Sequence, residues 1–327
     1  MRESKVKILG TGSSVPQRVI TNFDLEKMVD TSDEWITTRT GIKERRIAGE
    51  GESTSTFALL AAQRALQAAQ VSPEELDLIV VATVTHDMLF PATACLLQRE
   101  LKARKAASCD LEAGCTGFVY ALSLAEKYLR GGGGEKALVV GAETLSKILD
   151  WQDRSTCVLF GDGAGAAVLG LSEGEGILAT YLGSDGGGAH LLELPAGCSR
   201  MPASLNTINN RLHYIKMNGN EVFKFAVKIM EEASLEVIKR GNVKIDEVSL
   251  FIPHQANIRI INSAAKRLGI PEEKVFINVH KYGNTSSASI PLALDEACQE
   301  GKINRGDLVL LVGFGAGLTW GSALIRW

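Results

Sequence analysis

No apolar run in the chain reaches the roughly 18 residues that a membrane-spanning helix requires. The first residues, Met1-Arg-Glu-Ser-Lys-Val-Lys, enter a strand-like stretch without the apolar centre of a secretory leader. Cys-x-x-Cys pairs are also missing. The six cysteines, Cys95, Cys109, Cys115, Cys157, Cys198 and Cys298, lie scattered with no metal-ligand spacing, so they read as reduced thiols rather than a disulfide framework or a metal site. Nor is there a charge excess. A net charge of −3 over 327 residues argues against a general nucleic-acid binder. These absences predict a soluble, cytoplasmic protein with no metal, no membrane and no nucleic-acid partner. The composition that remains, 45% hydrophobic and 22% charged, is that of a globular enzyme. The length suits two ordinary domains or one large duplicated fold.

Strand-like and helix-like stretches alternate. Val6 to Gly12 reads as a strand closing on glycines. Thr31-Ser-Asp-Glu-Trp-Ile opens a short helix with a hydroxyl cap and acidic first turn, and Ser53-Thr-Ser-Thr caps a long Ala-rich helix from Phe57 to Ala69. Leu76-Asp-Leu-Ile-Val-Val-Ala-Thr is nearly continuous in apolar residues, as in a parallel sheet covered on both faces. Phe90-Pro-Ala-Thr-Ala-Cys begins another helix ending near Leu101, and Lys136-Ala-Leu-Val-Val-Gly is a second buried strand. The alternation defines an α/β protein.

One stretch concentrates chemistry. Ser108-Cys-Asp-Leu ends a strand-like run, Gly114 and Gly117 flank Cys115, and apolar residues recur at helical spacing from Phe118 to Leu129. Cys115 therefore sits on a tight turn at a helix mouth. The helix dipole and free backbone N–H groups there favour a thiolate, and small neighbours let a carbonyl approach the sulfur. The structural alternative is a buried, inert cysteine.

The second half repeats the first. Leu138-Val-Val-Gly aligns with Leu310-Leu-Val-Gly at an offset of 310 − 138 = 172. The same offset places Glu75-Leu-Asp-Leu-Ile on Glu247-Val-Ser-Leu-Phe and Cys115-Thr-Gly-Phe-Val-Tyr-Ala-Leu on Ser287-Ala-Ser-Ile-Pro-Leu-Ala-Leu. It carries the first strand onto the stretch from about Leu178 to Gly183. Four segments in register without a gap indicate an internal duplication, with halves 1–173 and 174–327. Ser287 then stands where Cys115 stands, and His254 falls on Ala82 at a strand end, where ligands of parallel sheets gather.

Two further stretches have site character: Pro253-His-Gln-Ala-Asn after an apolar strand, and Gly283-Asn-Thr-Ser ahead of a helix. Taken singly, the histidine reads more readily as a structural hydrogen-bonding residue than as a catalyst, and the asparagine as a turn residue. Together with the Cys115 turn, Thr31-Ser-Asp-Glu-Trp-Ile, Phe160-Gly-Asp-Gly-Ala-Gly-Ala and the closing Gly313-Phe-Gly-Ala-Gly-Leu-Thr-Trp-Gly, they resemble the β-ketoacyl-acyl carrier protein synthase III family, the initiating condensing enzymes of bacterial fatty-acid synthesis. The resemblance spans the whole chain in order.

The resemblance implies the thiolase-like fold: two duplicated α/β halves in a five-layered α-β-α-β-α sandwich. It implies a triad of Cys115, His254 and Asn284. Cys115 takes a short acyl group from coenzyme A, and His254 with Asn284 holds the thioester carbonyl of malonyl-acyl carrier protein. Coenzyme A contacts carry over to Thr31, Trp35, Arg39, Arg154, Gly219 and Asn257. Trp35 and Arg154 would sandwich the adenine, with Trp151 as the alternative stacking residue. Coenzyme A thioester is a substrate, so no cofactor is implied. Phe90 would cross a homodimer interface into the partner's acyl pocket, and backbone N–H groups of Cys115 and Ala316 would form an oxyanion hole. Gln255, Ala256, Asn257, Ile258, Arg259, Lys266 and Arg267 would meet the carrier protein, the three basic residues lying along one helix side.

Alternatives differ in specific residues. A biosynthetic thiolase needs a second cysteine where this chain has Phe314, and elongating condensing enzymes use two histidines. A starter ketosynthase of polyketide or quinolone synthesis can share all three triad residues. Papain-like hydrolases also use Cys, His and Asn but lack the duplication. A catalytically dead binding protein would have no reason to retain all three boxes.

Overall fold

The computed structural model describes residues 5–327; residues 1–4, counted above with the first strand-like stretch, lie outside the described residues. The first half builds a five-stranded sheet from β1 (Lys5–Ser14), β2 (Leu78–Ala82), β3 (Ala107–Leu111), β4 (Lys136–Glu143) and β5 (Gly163–Ser172), in the order β1-β5-β4-β2-β3. The apolar run predicted as a covered strand is β2, whose residues are all buried and which pairs in parallel with β3 and β4. The second half builds a four-stranded sheet from β6 (Gly176–Ser184), β7 (Leu250–Pro253), β8 (Leu308–Gly315) and β9 (Thr319–Arg326), in the order β7-β8-β9-β6.

Seven helices position these sheets and the site: α1 (Asp33–Thr40), α2 (Thr54–Ala69), α3 (Thr93–Leu101), α4 (Gly117–Arg130), α5 (Gly219–Gly241), α6 (Ile258–Leu268) and α7 (Ser289–Gln299). α2 and α3 cover one face of the first sheet, and α5 and α6 cover one face of the second. α4 and α7 lie between the sheets, where Phe118, Leu122, Ile290 and Leu294 join inward residues of both into one core. This is the five-layered thiolase-like sandwich.

The offset of 172 residues holds in space. It carries β2 onto β7, β4 onto β8 and α4 onto α7. The second sheet has no strand equivalent to β3. The chain there makes one parallel bridge, Val275 to Phe251, with Phe276 N–H donating to Phe251 O at 2.9 Å.

The predicted caps are in place: Ser32 accepts from Trp35 N–H at the start of α1, and Ser53 caps α2. Two helix starts differ: the helix expected from Phe57 begins at Thr54, directly after Ser53. The helix expected from Phe90 begins at Thr93, because the Asp110 carboxylate from β3 takes the N–H groups of Thr93 and Ala94, each at 2.7 Å, and so fixes the first turn. Phe90 is left on the preceding loop. Among the described residues no helix is long and apolar enough to cross a membrane.

Candidate active site

Cys115 lies in a one-turn 3-10 segment, Gly114–Thr116, that leads into α4. Gly114 has φ +52°, and a β-carbon there would stand 2.7 Å from Ala316 N. A β-carbon on Gly315 would stand 2.4 Å from Cys115 N. Both glycines are required by the same close approach: the turn of the first half lies directly on the end of β8 in the second. Thr319 ties the contact, with its hydroxyl 2.9 Å from Ala113 O and 3.0 Å from both Ala316 O and the Thr116 hydroxyl.

His254 follows β7. Its N–H donates to Val312 O at 2.8 Å, its Nδ1 lies 2.6 Å from the Ser289 hydroxyl, and Phe314 meets its ring edge-on at 5.4 Å. Burial in this apolar setting holds its pKa down to about 3, so the imidazole is neutral. Asn284 is held by its own backbone: its N–H donates to Leu159 O at 2.9 Å and its carbonyl accepts from Gly161 N–H at 3.0 Å. Its Oδ1 accepts from Ser286 N–H at 2.9 Å. That bond orients the side chain and leaves the amide nitrogen, with its two donors, to the cavity.

Cys115, His254 and Asn284 line one cavity of about 560 Å³. The structure thus brings together three residues far apart in sequence. Trp35, Arg39, Gly219, Ala256, Asn257 and Arg259 line the same cavity. Thr31 and Arg154 do not, but the Arg154 guanidinium lies over the Trp35 ring, 5.1 Å from its centroid. With the pair closed in this way, an adenine can enter between them only if they part. Trp35 lines this cavity and Trp151 does not; Trp151 instead lines a smaller one with Ile20 and Met28.

Two expectations need correction. The Cys115 thiol is not biased towards thiolate: burial pushes its pKa up to about 12, the nearby Glu143 adds to the rise, and a hydrogen bond from Ser286 opposes it. Gln255 is not a surface contact. It is buried, its amide nitrogen donates to Pro253 O and Phe276 O, and its Oε1 accepts from Asn278 and Val279 N–H. Ile258 is half-buried, as Ala256 and Asn257 are, and packs against the cluster that holds Ile36 and Ile261. By contrast Arg259, Lys266 and Arg267 are exposed on α6, Arg267 paired with Glu231 at 2.8 Å and Arg259 over the Phe223 ring. Asn257 caps α6 and donates to Arg39 O at 3.0 Å.

The sequence reading missed Ser289, Ser286 and Glu143. Glu143 had a signal: an acid closing an otherwise apolar buried strand demands partners.

The fold and the cavity of a buried cysteine beside a neutral histidine and an asparagine amide define a condensing acyltransferase of thiolase-like architecture. Residues 109–186 match the family described as 3-Oxoacyl-[acyl-carrier-protein (ACP)] synthase III, and residues 238–327 match its C-terminal region. A β-ketoacyl-[acyl-carrier-protein] synthase III of Caldanaerobacter subterraneus is 58% identical over 98% of this chain and 97% of its own length. The crystal structure of 3-oxoacyl-[acyl-carrier-protein] synthase III from Aquifex aeolicus covers 98% of this chain and 100% of its own, with 54% identity and a TM-score of 0.91. The priming β-ketosynthase of the R1128 polyketide pathway, at 38% identity and a TM-score of 0.92, covers 99% of this chain and 97% of its own. The chain belongs to the β-ketoacyl-[acyl-carrier-protein] synthase III family.

Proposed function

We propose that this enzyme condenses a short acyl-coenzyme A primer, acetyl or branched, with malonyl-acyl carrier protein to give 3-ketoacyl-acyl carrier protein, the opening step of fatty-acid synthesis. The observation that carries the reading is that Cys115, His254 and Asn284 line one cavity. The greater similarity to fatty-acid synthases than to the polyketide starter enzyme supports this pathway over the alternative.

In the first half-reaction the Cys115 sulfur attacks the thioester carbonyl. The bond from acyl carbon to Cys115 forms, the bond to the coenzyme A sulfur breaks, and coenzyme A leaves as a thiol carrying the proton that Cys115 gives up. Backbone N–H groups of Cys115 and Ala316 hold the intermediate oxyanion. In the second, malonyl loses CO₂, and the enolate oxygen accepts from His254 Nε2–H and the Asn284 amide. The enolate carbon then attacks the acyl group on Cys115 and frees the sulfur, which is reprotonated from water. Ser289 supports the required tautomer: its oxygen faces Gln255 N–H at 3.4 Å, so its proton points to His254 Nδ1 and the ring proton stays on Nε2.

Thr31, Trp35, Arg39, Arg154, Gly219 and Asn257 serve coenzyme A in this reading. Ala256, Asn257, Ile258, Arg259, Lys266 and Arg267 receive the acidic carrier. The halves 1–173 and 174–327 contribute the nucleophile and the donors, respectively. Two copies pair as a homodimer through the loop bearing Phe90, which is 81% exposed beside the exposed Leu89 and Met88.

The half-reactions should separate by mutation. Cys115→Ala should abolish acyl-enzyme and condensation yet release CO₂ slowly from malonyl-acyl carrier protein. His254→Ala and Asn284→Ala should each lose decarboxylation by on the order of 10²–10³-fold, the usual penalty for removing one oxyanion donor, while Cys115 is still acylated. Single-turnover labelling with radioactive acyl-coenzyme A beside a CO₂-release assay reads both. A His254→Ala enzyme that cannot be acylated but releases CO₂ at the parent rate would overturn the assignment and favour a hydrolase-like Cys–His pair.

A further inference from the structure

The duplication equates positions as well as elements. Under the offset, Cys115 falls on Ser287, His254 on Ala82 and Gly315 on Glu143. The two turns are also placed alike, each on the strand ends of the other half. Beside Cys115, Gly315 leaves β8 without a side chain. At the equivalent place beside Ser287, β4 carries Glu143, whose Oε1 accepts from the Ser287 hydroxyl at 2.8 Å. The same hydroxyl lies 2.8 Å from Ala82 O. The mirror image of the candidate pocket therefore exists in the fold, and a carboxyl side chain fills it.

Glu143 is fully buried and meets no cation among the described residues. Its partners come from both halves. Val84 N–H lies 3.2 and 3.3 Å from its two oxygens, and the Thr85 and Thr83 hydroxyls donate to Oε2 at 2.6 and 3.3 Å. From the second half, the hydroxyls of Ser286 and Ser287 both reach Oε1, Ser286 at 3.2 Å. Ser286 is the informative partner. It has φ +48°, a conformation that a side chain disfavours, and in it the Ser286 N–H donates to Asn284 Oδ1. Ser286 also bears on Cys115, whose pKa it lowers against the effect of burial. One serine thus links Glu143 to the Asn284 amide group.

We propose that Glu143 is a positioning residue for the condensation step: it fills the mirror pocket and, by holding Ser286, keeps the Asn284 amide turned into the cavity beside Cys115. This rests on the roles given above to Asn284 and Cys115. Glu143→Ala removes the acceptor of both serine hydroxyls and frees Ser286 to leave its conformation, so the Asn284 amide loses its orientation. Glu143→Gln retains most of the arrangement. Its carbonyl oxygen accepts from the serines, and its amide donates to the Thr85 hydroxyl, which can turn to receive it.

The test combines the two half-reaction assays with a double-mutant cycle. Glu143→Ala should lower CO₂ release from malonyl-acyl carrier protein by on the order of 10–10²-fold, with single-turnover acylation of Cys115 changed by less than about threefold. Glu143→Gln should restore CO₂ release to within about fivefold of the parent enzyme. The double variant with Asn284→Ala should be no slower than Asn284→Ala alone, since both act through one group. If Glu143→Ala does not fold, Ser286→Ala makes the same comparison with Glu143 in place, and the same non-additivity with Asn284→Ala is expected. Equal loss of both half-reactions, an additive cycle, or a glutamine variant as impaired as the alanine would overturn the proposal. Parent-like CO₂ release by Asn284→Ala alone would instead overturn the donor role of Asn284, and the inference with it.

Discussion

A thiol 7% exposed, with no cation beside it among the described residues and a carboxyl group behind Ser286, stays protonated at neutral pH. The sequence pointed the other way, because a cysteine at a helix mouth is the usual setting for a thiolate. What it could not convey is desolvation: the turn lies beneath β8, and Cys115 sits in a 3-10 turn just before α4 rather than in the helix itself. The consequence has a definite sign. With the pKa pushed up to about 12, the thiolate fraction rises about tenfold per pH unit through the neutral and mildly alkaline range. Iodoacetamide alkylation of Cys115, followed by mass spectrometry of its peptide because Cys95, Cys109 and Cys198 are exposed, should climb log-linearly from pH 7 to 9. A plateau below pH 8 would mean that the helix terminus outweighs burial. Acyl transfer then needs the substrate to displace water and supply a destination for the thiol proton, which the departing coenzyme A sulfur provides.

At the scale of elements, the site depends on turns from one half seated on strands from the other. Gly315→Ala tests that seating. Its β-carbon would lie 2.4 Å from Cys115 N, a backbone atom that cannot yield without moving the turn. Acylation should fall by on the order of 10²-fold, since the oxyanion donor moves with the sulfur, and a near-parent single-turnover rate would show that the turn has slack. Strands and caps were legible here because their signals are local: β2 is a continuous apolar run, and Ser32 and Ser53 stand directly before their helices. Signals that cross the chain were not. α3 starts at Thr93 because Asp110, a residue of β3, reaches its N–H groups. Gln255 looked like part of a binding box but serves as an interior bracket between β7 and the Asn278 turn. Glu143 and Ser286 meet across 143 positions of sequence, and only the assembled sheets reveal why an acid closes β4.

For the whole molecule, the duplication was readable as arithmetic, since β2, β4 and α4 recur at a constant spacing with no intervening insertion. It explains why one pocket is open and its mirror filled. Association between copies has no such internal repeat to betray it, and the argument passes to surface physics. Met88, Leu89 and Phe90 form an exposed apolar tip on the loop between β2 and α3. Close by, β3 is the edge of the first sheet, paired only with β2. An open strand edge beside an apolar tip is costly in water and is ordinarily covered. If a second copy covers it, Phe90→Asp places a charge in the interface and should produce monomer in sedimentation velocity at concentrations where the parent is a dimer. On the same reading, Phe90→Ala should leave the dimer assembled but shift primer preference towards longer or branched acyl groups, because a ring that would close the partner's pocket has been removed. A parent protein that sediments as a monomer while fully active, or a Phe90→Ala enzyme with unchanged primer preference, would remove Phe90 from the acyl site.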